Sequence, residues 1–235
     1  MAVYGDSHAD HLFHGLAKVD SANWMLIGNS SCPPVSGVNV IGDVKNCDVL
    51  AAKALDYLVE TQTIQTVVLS FFGNYALDSS YAADHLALKV GPDTVKITSN
   101  EFNTSNKQDL FFLGLERTIS KLERAKKSVV IVIDVPELPF FPKACIGRPF
   151  SRKLEKCVVS LSAVHERQAM LRELIKKLTV THPTLRVYDP LSTFCDPDYC
   201  YFEKNGVLLY RDSHHLSLKG SSSYAMDFLV WLQAK

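Results

Sequence analysis

At 235 residues, with 47% hydrophobic and 21% charged residues, the chain can bury a substantial core and reads as one domain spanning residues 1–235. Lys plus Arg and Asp plus Glu each number 25, a formal net charge of zero that leaves no electrostatic footprint for nucleic acid or an anionic membrane. No apolar run reaches the roughly 18 residues of a bilayer span, and no charged-then-apolar leader precedes the first motif.

The first apolar run, Ala2 to Tyr4, ends in Gly5-Asp6-Ser7, where a segment of helical spacing opens. That run is barely long enough for a strand, so Met1 is expected to begin an excised piece of a longer protein. Further β-branched runs follow at Trp24 to Ile27, Thr66 to Leu69, Val129 to Ile133 and Leu185 to Tyr188. Between them, helical spacing recurs at Leu50, Ala54 and Leu58, at Phe111, Leu115, Ile119 and Leu122, and at Leu161, Val164, Leu171, Ile175 and Leu178. A last helix is predicted from Leu218 to about Leu232. Alternating strands and helices imply right-handed crossovers, hence an α/β fold: a three-layer α/β/α sandwich around a parallel sheet of about five strands. Sites in such sheets form at the carboxyl ends of strands, where Ser7, the Gly28 to Ser31 segment and Gly73-Asn74 all fall. Asp78 to Asn106 and Pro136 to Ser160 read as irregular.

Asp212-Ser213-His214-His215 precedes the last helix and completes a Ser, His and Asp set with Ser7. A serine hydroxyl needs a base within hydrogen-bond reach and a third group to hold that base in the right tautomer. At a helix start it also has backbone N–H groups and the positive helix end aimed at any oxyanion. Six cysteines, Cys32/Cys47, Cys145/Cys157 and Cys195/Cys200, lie as sequence-local pairs flanked by Pro, Gly or Asp, as expected of stapled loops in an oxidising compartment. Six cysteines permit 15 connectivities, so the pairing stays open, as does a set of reduced buried thiols. No Cys-x-x-Cys occurs, and His8, His11 and His14 would spread over a helical arc of about 120°, so no metal is expected. Tyr199, Tyr201 and Phe202 suit either stacking on sugar rings or a packed loop.

This arrangement resembles the SGNH (GDSL-like) hydrolase superfamily, and within it the periplasmic SGNH domain fused behind membrane acyltransferase-3 domains. The narrower likeness rests on Gly-Asp-Ser-His at 5 to 8, Ser-Ser-Cys-Pro-Pro at 30 to 34, Val-Val-Leu at 67 to 69, Pro-Glu-Leu-Pro at 136 to 139 and Tyr-Arg-Asp-Ser-His-His-Leu-Ser-Leu-Lys-Gly at 210 to 220. The resemblance implies Ser7 as nucleophile, His215 as base and acid, and Asp212 as its orienting partner, with His214 as the competing choice of base. It places Asn74 in the slot of an oxyanion-hole asparagine, although Phe72-Gly73-Asn74-Tyr75 departs from the usual Gly-x-Asn-Asp. Relatives of this group often carry Arg-Trp near that point. Ser30 and Ser31 lie nearest the position of the other donor, and His8, next to Ser7, is expected to contact substrate. The implied function is extracytoplasmic transfer of acetyl groups to hydroxyls of a cell-envelope polysaccharide such as lipopolysaccharide O-antigen, at the periplasmic face of the bacterial inner membrane. The domain itself would need no cofactor, its acetyl group coming from acetyl-CoA through a preceding membrane domain. Two alternatives use the same sequence: a carbohydrate esterase with the same triad, and an inactive polysaccharide-binding module.

Overall fold

The five apolar runs assemble into one parallel sheet in a computed structural model that describes residues 1–41, 46–73, 95–146 and 157–234. Its strands are β1 (Ala2–Gly5), β2 (Met25–Gly28), β3 (Thr66–Ser70), β4 (Ser128–Val132) and β5 (Arg186–Tyr188), in the spatial order β2-β1-β3-β4-β5. Long helices α1 (Ser7–Val19), α2 (Cys47–Glu60), α3 (Lys107–Arg124), α4 (Leu161–Thr181) and α5 (Leu218–Gln233) accompany it. The order reverses at β1, between β2 and β3, which is where a doubly wound sheet opens a crevice at its carboxyl edge.

Both faces of the sheet are buried, and alternate strand residues serve different cores. Tyr4, Val67, Leu69, Val129 and Ile131 join the core that holds Leu55 and Leu58 of α2, Phe111 and Leu115 of α3, and Leu171 and Leu178 of α4. Val3, Val68, Val130 and Val132 join the other, with Leu12 and Leu16 of α1 and Tyr224 and Phe228 of α5. Four helices begin on a side-chain cap, as sequence-local chemistry requires. Asp6 accepts from His8 N–H, Asn106 from Gln108 and Asp109, Ser160 from Ala163, and Ser217 from Gly220.

α1 and α5 cross closely enough that a Cβ on Gly15 would lie 2.1 Å from the Ser221 carbonyl oxygen. Ser221 Oγ donates to the His11 carbonyl at the same crossing. This contact seats the first turn of α5 against the middle of α1.

Several short pairings escape a periodicity reading because strands of two or three residues carry too little alternation to register. Asn39–Ile41 pairs with Lys96–Thr98, the latter inside the stretch expected to be irregular, and Val158–Ser160 pairs with Tyr199–Tyr201. Three disulfides close local loops: Cys32–Cys47, Cys145–Cys157 and Cys195–Cys200. Within the aromatic cluster, Tyr201 hydrogen-bonds Asp196 and Phe202 packs edge-on against Phe140. Among the described residues no helix is long and apolar enough to cross a membrane.

Candidate active site

β1 delivers the chain to the sheet's carboxyl edge, and crowding there explains its glycine. A Cβ on Gly5 would lie 1.7 Å from the Ser70 carbonyl oxygen, and one on its neighbour Gly28 would lie 1.8 Å from the Gly5 oxygen. The chain then turns at Asp6 into α1, with Ser7 as its first residue and partly exposed. The helix cap is therefore Asp6, which leaves the Ser7 hydroxyl free of that duty.

Asp212 to His215 form a tight loop between Tyr210 and Leu216, which face each other as an isolated antiparallel pair. Asp212 Oδ1 accepts from the backbone N–H of His214 at 3.1 Å and of His215 at 2.7 Å. From outside the loop, Leu138 N–H donates to the Ser213 carbonyl at 2.7 Å, so the Pro136 to Pro139 block braces it. The result is a continuous chain: His215 Nδ1 lies 2.9 Å from Asp212 Oδ2, and His215 Nε2 lies 2.8 Å from Ser7 Oγ. Burial alone would raise the Asp212 carboxyl, but the His215 ring and the two backbone N–H groups outweigh it and hold it well below the usual carboxylate range. An ionised Asp212 accepts a hydrogen bond from Nδ1–H, which fixes the tautomer that leaves Nε2 as a lone pair facing Ser7.

His214, adjacent in sequence, points elsewhere. Its Nδ1 lies 3.0 Å from His8 Nε2, and its ring stacks on Phe72 with centroids 4.7 Å apart. His8 was expected at the substrate surface; instead it is 1% exposed, with Nδ1 2.6 Å from Asp134 Oδ1 and Nε2 occupied by His214. The reason is helical phase: position 8 of α1 faces the sheet, while Ser7 faces its edge. Burial pushes the His8 imidazole well below its ordinary value, and burial together with His8 and His215 holds His214 down at about 2. Burial raises the Asp6 carboxyl to about 7 and the Asp134 carboxyl to about 8, against backbone N–H donors that pull each down.

Asn74 lies outside the described residues. Ser30 is exposed and Ser31 partly so, the latter at φ 61° in the turn that follows β2. The histidines that converge are His8, His214 and His215, whose ligand-type nitrogens lie within 4.8 Å of one another, rather than His8, His11 and His14. The facing nitrogens of His8 and His214 share a hydrogen bond at 3.0 Å, shorter than the roughly 3.4 Å that two nitrogens span across a tetrahedral ion bound at about 2.0–2.1 Å. Asp134 was missed in the sequence reading. It lies two residues past the end of β4, so the same carboxyl-end rule that selected Ser7 would have found it.

A parallel α/β sheet that carries a helix-start serine under an imidazole–carboxylate pair fits a protein of the SGNH-hydrolase type. The chain belongs to the family of SGNH domains fused to AT3 domains, whose pattern matches residues 1–229. Its fold is similar to that of the periplasmic domain of a lipopolysaccharide acetyltransferase from Salmonella ser. Paratyphi A, with a TM-score of 0.67, 16% identity, and 98% of this chain and 83% of that chain covered. It is also similar to a GDSL-like lipase from Bacteroides thetaiotaomicron VPI-5482, with a TM-score of 0.50, 11% identity, and 98% and 85% covered. At these identities the likeness is one of fold. No curated protein sequence matches the chain.

Proposed function

We propose that the chain is the extracytoplasmic domain of an O-acyltransferase that moves acetyl groups onto hydroxyls of a cell-envelope polysaccharide, with Ser7 as nucleophile. The observation that carries this reading is the unbroken hydrogen-bond chain Asp212–His215–Ser7 at a helix start. Three further features support it: the family's fusion to AT3 domains, three disulfides suited to an oxidising compartment such as the periplasm, and a formal net charge of zero that suits a neutral glycan.

His215 Nε2 takes the Ser7 proton as Oγ attacks the acyl carbon, then returns it to the departing donor group. In the second half, His215 takes a proton from a sugar hydroxyl whose oxygen attacks the acyl-serine, and delivers it to Oγ as the C–O bond to Ser7 breaks. The Ser7 N–H at the start of α1, with the Asn74 side chain and the backbone at Ser30-Ser31, would hold the oxyanion. The acetyl group would arrive from acetyl-CoA through the membrane AT3 domain, so this domain itself holds no cofactor.

An esterase needs the same three residues and differs only in accepting water. A transferase must bind its acceptor with high effective molarity, exclude water, or both. With an activated acetyl ester, the domain is expected to hydrolyse slowly, and envelope polysaccharide should divert acetyl groups to sugar hydroxyls, adding one acetyl unit per event. Fast hydrolysis that no polysaccharide alters, with acetate released from already acetylated glycan, would replace this reading by the esterase.

A further inference from the structure

Buried His8 and the partly buried Asp134 and His214 form a second chain that the Ser7 chemistry does not use. Asp134 is anchored by Val135 N–H to Oδ1 at 2.9 Å and Gly73 N–H to Oδ2 at 3.1 Å. His8 Nδ1 meets Asp134 Oδ1 at 2.6 Å, and His8 Nε2 meets His214 Nδ1 at 3.0 Å. The two imidazole planes differ by only 7°, which suits a bond made through in-plane ring nitrogens. Among the described residues nothing bonds His214 Nε2, on the opposite edge of that partly exposed ring. The His214 and His215 ring centroids are 4.1 Å apart, so the His214 ring lies beside the imidazole of the Ser7 chain.

A neutral imidazole carries hydrogen on one nitrogen only, so the order of hydrogens runs along the chain. With Asp134 ionised, His8 donates to it, His214 donates to His8, and His214 Nε2 presents a lone pair. With a proton on Asp134, both bonds reverse and Nε2 presents an N–H. Either order keeps both rings uncharged. We propose that this chain serves the acceptor: His214 Nε2 binds the sugar hydroxyl that receives the acyl group, while His8 and Asp134 are positioning residues that set whether Nε2 donates or accepts. The proposal rests on the transferase reading. A hydroxyl both donates and accepts, so it can give its proton to His215 while its lone pair receives the His214 N–H. Two fixed contacts orient a sugar oxygen and give the acceptor an advantage over water.

The test compares His214→Ala, His214→Gln, His215→Ala, Asp134→Asn and His8→Gln with the unaltered chain. Ser7 labelling by a fluorophosphonate reads the triad alone. Partition of acetyl from 4-nitrophenyl acetate between methyl glucopyranoside and water reads the acceptor contact. His214→Ala is expected to lower the sugar-to-water ratio about tenfold, the loss of one good hydrogen bond. It should cut labelling far less than His215→Ala does, and His214→Gln should recover part of the ratio because its amide can continue the chain. Ring ¹⁵N chemical shifts of His214 should move in Asp134→Asn and in His8→Gln, although Asp134 does not touch that ring. An unchanged ratio in His214→Ala, labelling lost as fully there as in His215→Ala, or unmoved His214 ¹⁵N shifts in both chain variants would overturn the proposal. If the unaltered chain acetylates no sugar, the transferase reading fails by itself, and the ¹⁵N comparison still decides whether the chain exists.

Discussion

The Asp6 carboxylate ties the start of α1 to the chain just beyond the end of β3. Oδ1 accepts from His8 N–H at 2.8 Å, capping α1, and Oδ2 accepts from Phe72 N–H at 3.0 Å beyond the end of β3. The aspartate of Gly-Asp-Ser therefore fixes the position of the nucleophile without touching it. Asp6→Ala should cost about 2 kcal/mol, combining a lost cap with a buried N–H left unpaired. Ser7→Ala removes neither contact and should stay within about 0.5 kcal/mol of the parent. Urea melts of the two variants check the contrast, and equal losses would contradict it.

Asp212→Asn should lower turnover by roughly 10⁴, because an amide at that position favours the wrong tautomer of the base. His215→Ala should lose more ester turnover than His214→Ala, since only His215 reaches Ser7 Oγ. Steady-state rates on an activated acetyl ester measure both. The reverse order for the histidines would mean that His214 is the base.

Much of this was legible in the chain because each strand is a β-branched run bounded by turn residues, and because Ser7 and Asp212-x-x-His215 carry their chemistry in residue type alone. The choice between His214 and His215 was harder, since both stand beside Asp212 and only the loop's backbone decides which ring turns toward Ser7. The burial of His8 was not legible from its place beside the nucleophile; it follows from the docking of α1 on the sheet. Asp134 announces itself only as a residue at a strand end, and its partner His8 is more than a hundred positions away.

Acid should weaken the fold in a traceable way. His11 is buried under the site, its Nδ1 has no partner among the described residues, and burial together with nearby His8 holds it well below its ordinary value. A histidine depressed in the folded state contributes stability above its unfolded value near 6.5 and loses it as pH falls below that, because only the unfolded chain takes up the proton. His11→Leu should thus flatten the fall in stability between pH 6.5 and 4 by up to about 1.4 kcal/mol per pH unit. Denaturant midpoints of both proteins across that range provide the measurement, and parallel curves would refute the assignment.

Peptide mapping without reductant should recover Cys32–Cys47, Cys145–Cys157 and Cys195–Cys200 as linked pairs. The Cys32–Cys47 bridge has a sequence separation of 15, for which loop closure contributes about 3 kcal/mol. A reductant should therefore lower the melting temperature by several degrees. Free thiols in the mapped peptides would remove the argument for an oxidising compartment.

The central claim is that the acyl group passes through Ser7, and rapid-quench mass spectrometry of the Ser7 peptide tests it most directly. During turnover of an activated acetyl ester, that peptide should gain one acetyl unit, lose it when acceptor polysaccharide is added, and remain unmodified in Ser7→Ala, which should not turn over. Sustained turnover by Ser7→Ala, or acetyl found only on other peptides, would contradict the account.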